Sequence, residues 1–193
     1  MKRICVFCGS SPGRTPQYTE AARRLGSVLA ESGLGVVYGG ASVGVMGAVA
    51  DASLAGGAEV IGVIPSALET REVAHQGLTQ LHVVETMHER KALMAELSDG
   101  FVALPGGWGT MEEIFESLTW AQLGLHRKPC GLLNVAGYFD HLGAFLEHAM
   151  NEAFVRTEYR PMMIVEDDPA RLLQRFGHYD PPRVKKWISE AQT

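Results

Sequence analysis

Cysteine is scarce in this chain: Cys5, Cys8 and Cys130 are all it has in 193 residues. Three thiols so spaced make no disulfide framework, so the fold must be held by its core. Cys5 and Cys8 spell C-x-x-C, but a separation of three within one strand sends side chains to opposite faces, which argues against a redox pair. Long apolar runs are missing too, and none approaches a membrane span. The N-terminus runs straight into Arg3-Ile4-Cys5-Val6-Phe7, a strand pattern with no signal-peptide layout. Basic residues are outnumbered, 17 Lys and Arg against 22 Asp and Glu, giving a formal net charge of −5. That balance argues against a general nucleic-acid binder. The seven histidines are scattered; His88-Glu89 opens a zincin-like motif, but Ala92 stands where its second histidine belongs. No metal site is expected. The cytoplasm is the expected setting, with neither membrane nor nucleic acid as partner.

What is abundant is apolar residues, 46% of the chain, and glycine, 22 in all. A chain of this length is read as one α/β domain over 1–180, with a polar, peripheral tail over 181–193. Strands are expected over 3–8, 35–38, 59–64, 81–84, 101–104, 130–133 and 163–165, with helices between them. The residues from 66 to 77 have no clear period and read as a loop with a helical turn. Thr86 is placed to cap the helix that follows, with Glu89 completing a capping box. Strands alternating with helices over short loops give a doubly wound parallel sheet, whose ligands sit at the carboxyl ends of the strands. Three glycine-bearing loops fall there, at 9–13, 39–47 and 105–110. Gly9, Ser10, Gly39, Gly40 and Gly44 are therefore candidate ligand contacts.

The third loop organises the rest. Phe101-Val102-Ala103-Leu104 is a buried-strand pattern, Pro105-Gly106-Gly107-Trp108-Gly109 the turn, and Thr110 a candidate cap for the helix beginning Met111-Glu112-Glu113. Strand, glycine loop and helix N-terminus together collect backbone N–H groups at the positive end of a helix dipole, which suits phosphate. A plain βα connection, with Glu112 and Glu113 complementing the dipole, is the alternative. Glu113, read as lying in the first turn, is expected to be ionised and fit to act as a base, a nucleophile or a stabiliser of positive charge. Upstream, Met87, Arg90, Met94 and Leu97 fall on one helical stripe, which puts Arg90 in an apolar seam. It is either a structural ion pair or a guanidinium facing the crevice, ready to hold an anion. Lys91 beside it reads as solvent-exposed. Trp120, on the outward face of its helix, points to a partner surface or to cover from another helix.

Gly40-Ala41-Ser42-Val43-Gly44 fits the G-x-S-x-G of hydrolases, with Asp140 and His178 as conceivable partners, but it follows the second strand rather than a deep central one. No loop spells G-x-G-x-x-G, and Glu59 begins a strand where a ribose-binding acid would end one, so no nicotinamide cofactor is expected.

Pro105-Gly106-Gly107-Trp108-Gly109-Thr110 followed by Glu113 resembles the PGGxGTxxE signature of the Lonely Guy family of cytokinin riboside 5′-monophosphate phosphoribohydrolases. Met87-His88-Glu89-Arg90-Lys91 is similar to the family's second signature, at the right distance upstream. Gly9-Ser10-Ser11 and the run from Tyr38-Gly39-Gly40 to Gly47 also match, though Ala41 stands where many relatives carry a third glycine. The likeness covers about residues 2 to 180. It implies a Rossmann-like, three-layer α/β/α fold and hydrolysis of the N-glycosidic bond of a purine nucleoside 5′-monophosphate, either AMP or a cytokinin-type N6-substituted relative. The products would be free base and ribose 5-phosphate. It also implies Arg90 and Glu113 as the catalytic pair, and substrate contacts at Glu72, Arg90, Lys91, the run Gly107, Trp108, Gly109, Thr110, Met111, Glu112 and Glu113, and Thr119. No cofactor is implied, and a homodimer is expected. A nucleotide sensor without chemistry and a Ser42 hydrolase are the rival readings. Some relatives have been labelled lysine decarboxylases, but no lysine here has a recognisable pyridoxal-phosphate context.

Overall fold

The computed structural model describes residues 1–69 and 74–183. Seven strands form one parallel sheet in the order β4-β3-β2-β1-β5-β6-β7. They are β1 (Arg3–Phe7), β2 (Gly35–Tyr38), β3 (Val60–Pro65), β4 (Gln80–Val84), β5 (Gly100–Ala103), β6 (Cys130–Leu133) and β7 (Met163–Glu166). From β3 to β6 the strands are almost wholly buried, while the edge strand β4 is half-exposed. Helices on both faces explain why those strands read as continuous apolar runs rather than alternating ones.

On one face α1 (Gln17–Glu31), α2 (Gly44–Ala55) and α7 (Pro169–Gly177) bury Leu25, Leu29, Val45, Val49, Leu172 and Phe176 against Ile4, Val6 and Val36. On the other face α4 (Met87–Glu96) and α5 (Trp108–Leu123) set Met94 and Ile114 against Cys5, Phe7, Val37 and Phe101. α6 (Asp140–Asn151) follows Phe139 onto the same side. Cys5 and Cys8 fall into opposite cores, as strand alternation requires, and all three thiols are free and buried.

The expected turn within 66–77 is α3 (Ser66–Glu69). Of the expected tail, only 181–183 are described. Two 3₁₀ turns, Val135–Gly137 and Thr157–Met162, were not anticipated. Among the described residues no helix is long and apolar enough to cross a membrane.

The cap of α4 forms as expected at Thr86, whose hydroxyl accepts from the Glu89 N–H at 3.1 Å. The return bond goes one residue further back, since the Glu89 carboxylate accepts from the Glu85 N–H at 3.0 Å. The start of α5 is a correction. Thr110 is not its cap: the helix begins at Trp108, with Gly107 in the capping position, and Thr110 is buried inside the first turn. Glu113 consequently lies one turn deeper than expected, where the dipole alone is a weaker reason for its charge.

Candidate active site

The strand order reverses between β1 and β5, so the loops leaving their carboxyl ends part there and leave a crevice. The loops still touch at their bases, where the Gly9 N–H donates to Pro105 O at 3.2 Å. Gly106 must be glycine for this approach, because a Cβ there would lie 2.1 Å from Thr110 Oγ1 and 2.8 Å from the Gly9 nitrogen.

Two helix N-termini face the crevice, and they differ. At α2 the Gly9 carbonyl accepts from the N–H groups of Val45 and Met46, at 3.1 and 3.2 Å, so that end is already occupied by backbone. At α5 the capping residue is Gly107, so no side chain caps the helix. Gly107, Trp108, Gly109 and Thr110 line a cavity of about 290 Å³. The first turn of α5 thus offers its donors and its dipole to an anion, and α2 does not.

The deeper wall carries Arg90 and Glu113, from α4 and α5. Arg90 is 5% exposed, and its Nη2 donates to Gly39 O at 3.0 Å. Gly39 makes room for it: a Cβ there would fall 2.0 Å from Nη2. Met46, Met87, Met94 and Leu68 supply the apolar part of the wall. Cys8 also lines the cavity; burial, and then the charge of Glu113, push its thiol well above the ordinary range and keep it protonated.

Comparison with known proteins bears on what this arrangement does. A family model described as possible lysine decarboxylase matches residues 46–176. The cytokinin riboside 5′-monophosphate phosphoribohydrolase of Rhodococcoides fascians is 53% identical over 168 residues, 86% of this chain and 85% of that protein. One from Arabidopsis thaliana is 48% identical over 180 residues, 93% of this chain and 83% of that one. The chain belongs to the phosphoribohydrolase family. Among solved structures, the molybdenum cofactor binding protein of Rippkaea orientalis aligns with a TM-score of 0.70 at 22% identity, covering 92% of this chain and 97% of that one. That likeness shows the Rossmann-like fold alone.

Of the family contacts expected here, Arg90, Gly107, Trp108, Gly109, Thr110 and Glu113 line the cavity, as do Gly9, Ser10 and Gly39. Others do not. Gly40 turns away with a left-handed backbone, and its carbonyl accepts from the His75 N–H at 2.9 Å. Gly44 opens α2 against the backbone of Ser10 and Ser11. Met111 is half-buried and packs against the core, and Thr119 lies on the exposed side of α5 with its hydroxyl donating to Phe115 O at 2.7 Å. Glu72 lies outside the described residues.

Lys91 and Glu112 are paired with each other. Lys91 is not solvent-exposed, because its ammonium is held by Glu112 at 2.5 Å and Glu116 at 3.0 Å, outside the cavity lining. Among the described residues no lysine lines the cavity, so none of them places an amine there for a pyridoxal Schiff base. The lining by Met46, Leu68 and Cys8 was missed. Each comes from a separate element, and no local spacing ties them to Arg90; the Met87–Met94 stripe was the one visible signal.

The Ser42 constellation does not assemble. Asp140 accepts from Asn134 Nδ2 at 2.7 Å, and His178 Nδ1 sits 2.8 Å from Gln174 O. The histidine beside the loop, His75, has Nδ1 accepting from the Gly77 N–H at 3.0 Å and Nε2 on Asp51 at 2.9 Å. Neither ring nitrogen is left for a serine. Among the described residues no group of three His, Cys, Asp or Glu could hold a metal ion.

Proposed function

We propose that the protein hydrolyses the N-glycosidic bond of a purine nucleoside 5′-monophosphate, either AMP or an N6-substituted, cytokinin-type relative. Water adds to C1′, the C1′–N9 bond breaks, and free base and ribose 5-phosphate leave. The observation that carries this reading is the convergence of the open α5 N-terminus, Arg90 and Glu113 on one cavity. In it, the first turn of α5 takes the 5′-phosphate. Glu113, five residues further along the same helix, lies where it can stabilise a cationic ribose or orient the attacking water. Arg90, braced by the Gly39 carbonyl, orients the substrate and balances developing negative charge.

The reading extends to a homodimer and a cytoplasmic setting. Its support is an apolar groove of about 560 Å³ between α5, α6 and β7, the exposed Phe145 on α6, and three free thiols that suit a reducing compartment.

The test is turnover of AMP and its N6-isopentenyl analogue, with free base as the readout, against the matching unphosphorylated nucleosides. Phosphate bound at α5 fixes the ribose beside Glu113, so removing it should lower kcat/KM by about 10²-fold or more. Comparable turnover of the nucleosides would sink the proposed phosphate role; no free base from either nucleotide would sink the activity.

A further inference from the structure

The two cavity-wall helices are joined in an unusual way. α4 has ten residues, and only Arg90 and Met94 are buried. Leu93, Ala95 and Leu97 pack half-buried against the same core, which seats the helix but leaves its exposed face unanchored. Polar ties add to the holding. Arg90 reaches the Gly39 carbonyl at 3.0 Å, and Lys128 Nζ donates to Ala95 O at 2.7 Å near the far end of α4. A tie across to α5 is made by the Lys91 ammonium on Glu112 and Glu116.

The positions matter. Lys91 follows Arg90 in α4, and Glu112 precedes Glu113 in α5. The side chain of Lys91 is only 10% exposed, so the charge is largely withdrawn from water and both carboxylates compensate it. Burial alone would lower the ammonium's pKa, but the hydrogen bonds and charges of Glu112 and Glu116 outweigh it and raise it above the ordinary value. The ammonium therefore keeps its charge throughout the neutral range.

We propose that Lys91 is a positioning residue: clamped between Glu112 and Glu116, it fixes the helix that carries Arg90 against the helix that carries Glu113. The assignment rests on the phosphoribohydrolase reading above. It differs from a substrate contact, because a clamp acts on the distance between two other residues and does not touch the phosphate.

The difference can be measured. Lys91→Met keeps the stem and removes the charge. A clamp predicts that kcat falls by about 10- to 100-fold, the scale of small misplacements in a site. Binding of inorganic phosphate, followed by calorimetry, should stay within about twofold of wild type. A phosphate contact predicts the reverse, with phosphate binding weakened about tenfold or more and kcat nearly kept. A merely stabilising pair predicts a lower melting temperature with kcat unchanged for the folded protein; either result overturns the proposal.

Should Lys91→Met not fold, the swap Lys91→Glu with Glu116→Lys, together with Glu112→Gln, restores one opposite-charge pair across the same gap. Recovery of kcat to within about tenfold of wild type supports the clamp. A folded, phosphate-binding but inactive swap counts against it. Wild-type protein that binds phosphate yet turns over no nucleotide refutes the functional reading instead, so the two failures are distinct.

Discussion

α5 lines two cavities, one with its N-terminal end and one with its later turns. The first is about 290 Å³ and holds Arg90 and Glu113; the second is about 560 Å³ and is walled by Phe115, Leu118, Met150, Met162 and their neighbours. The charged residues of the larger one are paired: Asp140 holds Asn134, and Glu147 holds Arg160. The smaller one has a helix end without a side-chain cap. Size does not mark the chemistry here. What marks it is backbone donors left open beside one charged group on the same helix, Glu113, and another, Arg90, brought in from α4.

The strongest way to break this contrast is Glu113→Gln. The change is nearly isosteric, so α5 and its glycine loop should stay folded while one charge is lost. If that charge stabilises a cationic ribose or activates water, kcat should fall by about 10²-fold or more, with nucleotide binding little changed or tighter. Glu112→Gln, which leaves Glu116 on Lys91, should lose at most about tenfold. Equal losses in the two variants would reduce Glu113 to a neighbour of the clamp and not a catalytic residue.

The groove is tested by Gly143→Arg. Gly143 lines it, and an added Cβ would meet nothing within 4 Å, so the chain can carry the substitution without internal collision. A charged side chain projecting there should weaken self-association about tenfold or more, seen as a shift from dimer to monomer in sedimentation at micromolar concentration. A wild-type protein that is already monomeric, or a variant that dimerises as well as wild type, removes the groove from the interface.

This contrast also separates what the sequence shows from what it hides. Strands β1, β2, β3, β5 and β6 were legible because burial on both faces leaves uninterrupted apolar runs. Arg90 was legible as a charge out of place on a methionine stripe. Lys91 was misread because its partners lie 21 and 25 residues away, on a helix whose position only the tertiary fold decides. The start of α5 was misplaced for a related reason. Threonine before an acidic helical run looks like a cap, but here its hydroxyl lies over Gly106, and the helix extends back through Trp108. Local propensity was overruled by contact between two loops.

The smallest expected effect lies just beyond the other end of α5, at His126, and it concerns stability. Nε2 stands 2.9 Å from Ser117 O, while Nδ1 accepts from the Lys128 N–H at 3.1 Å. Only the neutral ring with its proton on Nε2 satisfies both, and the ring also packs on Phe101 at 5.2 Å. Burial, helped by the charge of Lys128 and opposed by the Ser117 carbonyl, lowers the pKa to about 4. In the unfolded chain the same group titrates near 6.5. Between these values the unfolded state binds the extra proton, so stability is complete above pH 6.5 and declines as pH falls toward 4. The loss should be roughly 1–3 kcal/mol across that window, and then level off. Urea unfolding of wild type and His126→Gln from pH 4 to 8 reads it directly. The variant should be less stable at pH 8, and the gap should narrow on acidification. Two parallel curves would mean that folding leaves the His126 pKa unchanged, and that the ring is not held neutral by the Ser117 carbonyl and the Lys128 N–H.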